Sequence, residues 1–105
     1  MNRIEFTYNL CNLILKMTEE GESPILDFVK RSSEEQKRLY DAGKSKCDGI
    51  NTLSYHQFGK AADIYFMKDG QLVDPIRGFS YWHDVWEEMG GGKIINWDQG
   101  HFEVK

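Results

Sequence analysis

Long apolar runs are missing from this chain of 105 residues. No stretch approaches the roughly 18–20 apolar residues that a membrane-spanning helix needs, so no membrane partner is expected. Nor does the start resemble a secretory leader: Met1 is followed by Asn2-Arg3-Ile4-Glu5, and the apolar positions after it are spaced rather than continuous. Synthesis in the cytoplasm without an export route of its own is the expectation. A basic excess is lacking too. Thirteen Lys and Arg stand against seventeen Asp and Glu, a formal net charge of -4, and the cations are scattered. That excludes broad electrostatic binding to nucleic acid, which needs a basic face. Cysteine is scarce, with only Cys11 and Cys47 and no C-x-x-C pair; in a cytosolic chain such thiols stay reduced. Cys11 reads as a small core residue and Cys47 as a loop residue. Proline occurs twice, at Pro24 and Pro75, each marking a turn. There is no repeat, low-complexity tract or linker, and Gly90-Gly91-Gly92 is the one flexible spot. Residues 1–105 therefore read as a single domain, expected as a monomer.

What is present has ordinary globular proportions, with 40% apolar and 29% charged residues. Phe6, Leu10, Leu13, Ile14 and Met17 fall on one face of a helix running from Ile4 to about Met17. Ile25 to Val29 predicts a strand. Ser32-Ser33-Glu34-Glu35-Gln36 opens a second helix with capping-box spacing; its apolar face is Leu39 and Tyr40, and Gly43 is its stop. Ala61 to Met67 predicts a strand, Asp69-Gly70 a hairpin turn and Leu72-Val73 the return. Phe79 to Met89 predicts a third helix with Trp82, Val85, Trp86 and Met89 on one side. Two short strands, Ile94 to Trp97 and His101 to Val104, complete the order. The hairpins imply an antiparallel sheet, so the fold class is α+β: a small antiparallel sheet packed with about three helices.

Two segments carry chemistry. In Ser54-Tyr55-His56-Gln57-Phe58-Gly59-Lys60-Ala61-Ala62-Asp63, Asp63 lies inside a β-prone apolar run, where a charge is costly unless paired or bound to a metal. Period-2 alternation sets Asp63 and Tyr65 on one face and Ala62, Ile64 and Phe66 on the other. Gly59 lets the chain turn so that His56 and Asp63 converge. In Trp97-Asp98-Gln99-Gly100-His101-Phe102-Glu103, His101 and Glu103 share a strand face, and Asp98 stands beside His101 across Gly100. Two histidines and a carboxylate form a common catalytic zinc set with one position open to water, and a second carboxylate such as Asp98 suits proton transfer. His83, in a helix beside Trp82 and Asp84, has no visible partner set and reads as structural.

Together, Ser54-x-His56-x-x-Gly59-x-Ala61-x-Asp63 and Asp98-x-x-His101-Phe102-Glu103 resemble the M15 family of zinc metallopeptidases. So does Arg31-Ser32-x-x-Glu35-Gln36-x-x-Leu39-Tyr40-x-x-Gly43-Lys44-Ser45, and the likeness runs from about Phe6 to Glu103. That family includes D-Ala-D-Ala carboxypeptidases and the L-alanyl-D-glutamate endopeptidases of phage lysins. The resemblance implies a hedgehog/DD-peptidase-like fold and one Zn2+ held by His56, Asp63 and His101. It makes Asp98 the catalytic acidic residue, and gives Arg31 the substrate carbonyl and the oxyanion formed from it. Ser54 and Gln36 are weaker substrate-binding candidates. The implied substrate is a peptidoglycan stem peptide, reached after release to the wall, as in phage or prophage lysins. The alternative is a non-catalytic module that keeps zinc for stability and binds cell wall or protein. Replacing Asp98 separates the two, since a module needs no base.

Overall fold

The computed structural model describes residues 1–27, 32–43, 55, 56 and 58–105. Its elements follow in the order α1 (Arg3–Glu19), β1 (Pro24–Leu26), α2 (Ser33–Asp41), β2 (Ala61–Lys68), β3 (Gln71–Val73), α3 (Phe79–Glu88) and β4 (His101–Glu103). Three helices and a small four-stranded antiparallel sheet make an α+β fold.

α1 starts at a capping box: Asn2 accepts from the Glu5 amide, and the Glu5 side chain accepts from the Asn2 amide. It buries Phe6, Leu10, Leu13 and Met17, the stripe predicted by spacing. Cys11 differs from expectation. It is exposed, because it lies one residue, or about 100°, past Leu10 and off that stripe. α2 is capped by Ser32, whose hydroxyl accepts from the Glu35 amide. Gln36 is buried on it and Leu39 half-buried, while Tyr40 is 48% exposed, so of the expected Leu39–Tyr40 apolar face only the Leu39 side turns inward.

β2 is the spine of the sheet. β1 pairs with its second half (Ile25 opposite Tyr65), β3 with its end (Met67 opposite Leu72) and β4 with its start (Asp63 opposite His101). The Asp63 carbonyl accepts from Asp27 beyond β1, and the next residue, Ile64, donates to the Gly100 carbonyl. Successive backbone groups face opposite edges, so β4 lies across β2 from β1. The β2–β3 hairpin turns at Asp69 and Gly70, both with positive φ, the pair of values a type I′ turn requires. Of the predicted strand Ile25 to Val29, Ile25 and Leu26 lie in β1, Asp27 follows it, and the last two residues fall outside the described set.

The predicted strand from Ile94 to Trp97 does not form. Past Gly91, which bridges to Val104, and Gly92, whose amide reaches the Glu103 carbonyl, the chain leaves β4. Ile95 then accepts from the Asp98 amide and closes a turn instead. The glycine run is not a slack spot. A Cβ on Gly91 would clash with the Trp86 indole at Nε1, so the backbone is packed on the ring and only glycine fits.

The core lies on one face of the sheet. Ala62, Ile64 and Phe66 of β2 and Phe102 of β4 meet the α1 stripe and Trp82, Val85 and Trp86 of α3. Phe6 and Trp86 meet edge-to-face at 5.9 Å. Asp63, Tyr65 and His101 therefore project from the opposite face.

Candidate metal centre

Backbone register creates the site. Asp63 and His101 are directly opposed across β2 and β4, so their side chains emerge together on the face away from the core. His56 arrives from a tight turn just before β2. The Gly59 amide donates to the His56 carbonyl, Lys60 returns to Tyr55, and Gly59 takes φ +67°, a value that costs a residue with a Cβ. The turn reverses the chain and drops the His56 ring onto the pair.

Three donor atoms converge. His56 Nε2 lies 3.1 Å from His101 Nδ1 and 3.3 Å from Asp63 Oδ1, and the remaining side, His101 Nδ1 to Asp63 Oδ1, is 3.3 Å. A tetrahedral ion with bonds of about 2.0–2.1 Å sets its ligands about 3.3 Å apart, so this triangle has the right size for one. All three residues are buried. His56, Asp63 and His101 can hold a metal ion.

The outer partners fit the same reading. His101 Nε2 lies 2.7 Å from Glu103 Oε1. An ionised carboxylate only accepts, so it fixes the proton on Nε2 and leaves the Nδ1 lone pair facing Asp63 and His56. Such a carboxylate behind a ligating histidine is a regular feature of metal sites. Without an ion, the cluster is held by protons. Burial acts to raise the Asp63 carboxyl, but hydrogen bonds from His101 and His56 outweigh it and bring it to about 2. Burial acts to lower His101, but hydrogen bonds to Asp63 and Glu103 outweigh it and raise it to about 9.

Asp98 lies beside the trio, its Oδ2 3.9 Å from His101 Nδ1. The His101 amide donates to the Asp98 carbonyl, and this turn brings the two side chains to one side. Asp98 is the exposed member of the group, and it also lines an open groove of about 680 Å³ beside the centre. Gln36 is buried on α2. Arg31 and Ser54 lie outside the described residues.

Two residues support the site from outside the donor trio. Glu103 was placed on the correct face, but its service to His101 needs the ring orientation to be seen. His83 was read as structural, and it is fully buried, stacked on Phe102 at 4.0 Å with planes 3° apart. Its Nε2 lies 2.6 Å from the Gln99 carbonyl, so it donates there and anchors the loop between Asp98 and His101. Burial pushes its pKa down, which keeps the ring neutral. Only its position four residues after Phe79 and three before Trp86, on a core-facing helix, hinted at burial.

No model of a known protein family matches the chain, and no curated protein gives a significant match.

Proposed function

We propose that the protein is a zinc-dependent peptidase that hydrolyses a peptide bond in peptidoglycan stem peptides. The observation that carries this reading is the placement of Asp98. A solvent-reaching carboxylate lies beside a buried trio of two histidines and one carboxylate, and it also lines an open groove. A metal held only for stability is normally enclosed by four protein ligands; the group among the described residues numbers three, and in this reading Asp98 serves it as base.

His56, Asp63 and His101 would hold the ion. A zinc ion there lowers the pKa of a bound water and polarises a substrate carbonyl. Asp98 takes a proton from the attacking water and returns it to the departing amine, the work of a general base and then a general acid. Glu103 holds the His101 ring in the ligating tautomer, and His83 holds the loop that carries Asp98. Arg31 takes the oxyanion, the role that its motif implies. Peptide substrates and the wall as the place of action follow from the resemblance of the three motifs.

The test is mass spectrometry of purified peptidoglycan incubated with zinc-loaded protein, with a chelator control. New stem-peptide fragments that disappear with chelator support the peptidase, and their masses name the bond. Wall binding without fragments, from a protein that retains zinc, favours the non-catalytic module.

A further inference from the structure

The groove beside Asp98 has a chemistry of its own. Its described lining carries two charges, Asp74 and Asp98, and no cation. Its apolar lining includes Tyr65, Leu72, Phe79 and Trp97, with Leu72 65% and Trp97 76% exposed. Large apolar side chains left in water around a cleft mark a place where something binds.

Asp98 already has its place beside the metal centre. Asp74 does not. No hydrogen bond or ion pair among the described residues engages its carboxylate. The nearest cation in sequence is diverted: Arg77 pairs with Glu20 at 2.9 Å and lies over the Tyr81 ring. The segment after Asp74 is also fixed, because the buried Glu22 carboxylate accepts from the amides of Ile76 at 2.7 Å and Arg77 at 3.1 Å. Phe79 is held by an edge-to-face contact with Phe66. An unneutralised carboxylate therefore stands in a rigid frame beside aromatic walls.

We propose that this groove is a subsite for a cationic side chain of the peptide substrate, with Asp74 as its counter-charge. Carboxylate and aromatic ring together select an ammonium group, the first by charge and the second by its negative face. The methylene stem of a lysine-like side chain would cover Leu72 and Phe79 while its head stays at the carboxylate. An acidic side chain would meet the like charge of Asp74. A purely apolar one would leave Asp74 desolvated without a partner. The inference rests on the peptidase reading for its substrate class, and on the groove alone for its charge preference.

The test compares a synthetic stem pentapeptide bearing a free lysine amine with the same peptide acetylated at that amine. Binding to zinc-loaded Asp98→Asn protein is measured by calorimetry, apart from cleavage, and repeated in Asp98→Asn/Asp74→Asn. The free amine should bind about five- to tenfold tighter than the acetylated form, the combined size of a partly sheltered ion pair and a cation–aromatic contact. The double variant should bind both alike. In protein with Asp98 intact, Asp74→Asn should raise KM for the amine peptide by the same factor and leave kcat nearly unchanged. Equal binding of the two peptides, no binding of the amine peptide, or a preference that survives Asp74→Asn, overturns the subsite. Cleavage without amine preference removes the subsite and leaves the peptidase standing; amine preference through Asp74 without cleavage does the reverse.

Discussion

His101 shows how a few atoms set the chemistry. One ring nitrogen faces Glu103 at 2.7 Å and the other faces Asp63 at 3.3 Å. Glu103→Gln puts an amide where an acceptor-only group stood, so the ring loses its enforced tautomer. Zinc affinity should fall by about 10- to 100-fold, read by competition with a chromogenic chelator, while the fold stays intact by circular dichroism. Asp98→Asn should do the opposite. Zinc affinity should change little, since Asp98 lies outside the donor triangle, and kcat should drop by about 10²–10⁴. Equal loss of zinc in both variants would count against the proposed role of Asp98 as base.

The same atoms give the metal-free protein a defined pH profile. Asp63 is depressed from 3.8 to about 2. Its contribution to stability is therefore complete above the ordinary value and lost as pH falls towards 2. His101 is raised from 6.5 to about 9. Its contribution is complete below the ordinary value and lost as pH rises through 9. Thermal unfolding of chelator-treated protein should show a plateau between these windows with a decline on each side, and Asp63→Asn should flatten both. Zinc has to displace the His101 proton, so its affinity should weaken by about tenfold for each pH unit below 9.

Among the elements, the segment from Glu22 to α3 has the clearest internal support. The buried Glu22 carboxylate accepts from two backbone amides and from Trp82 Nε1 at 2.7 Å. Glu22→Gln would turn an amide group towards donors it cannot accept from. Urea unfolding should register a loss of about 1–3 kcal/mol. This clamp was not legible in the sequence, because Glu22 and Trp82 are sixty residues apart and nothing local marks the glutamate as buried. The α1 stripe, the Asp69-Gly70 hairpin and the face carrying Asp63 were legible, since each follows from a period or a turn within a few residues. Ile94 to Trp97 was misread because β-prone side chains describe a preference, while strand formation needs a free partner edge. Cys11 was misread because cysteine is commonly buried, and a one-residue offset from the stripe overrode that tendency. His56 and Asp63 could be paired through Gly59, whereas their meeting with His101 depended on the β2–β4 register, a long-range fact. The support that Glu103 gives is hidden for the same reason, whereas His83 is structural, as the sequence reads it.

At the scale of the molecule, the donor trio joins distant parts of one chain. His56 and His101 are 45 residues apart, and β4 is a strand of three residues whose partner strand is β2. An ion that binds the folded chain and not the unfolded one stabilises it by about 1.4 kcal/mol for each tenfold rise in free ion above its dissociation constant. The urea midpoint should climb in proportion to the logarithm of free zinc, and His101→Ala should abolish the slope. Hydrogen exchange should locate the gain in the 56–63 turn and in β4 rather than in α1. The clasp also makes the lifetime of the chain a gauge of metal supply. When the ion is withdrawn, the last strand loses its tether, opens more often and presents its backbone to proteases, so scarcity of the metal would shorten the life of the protein itself.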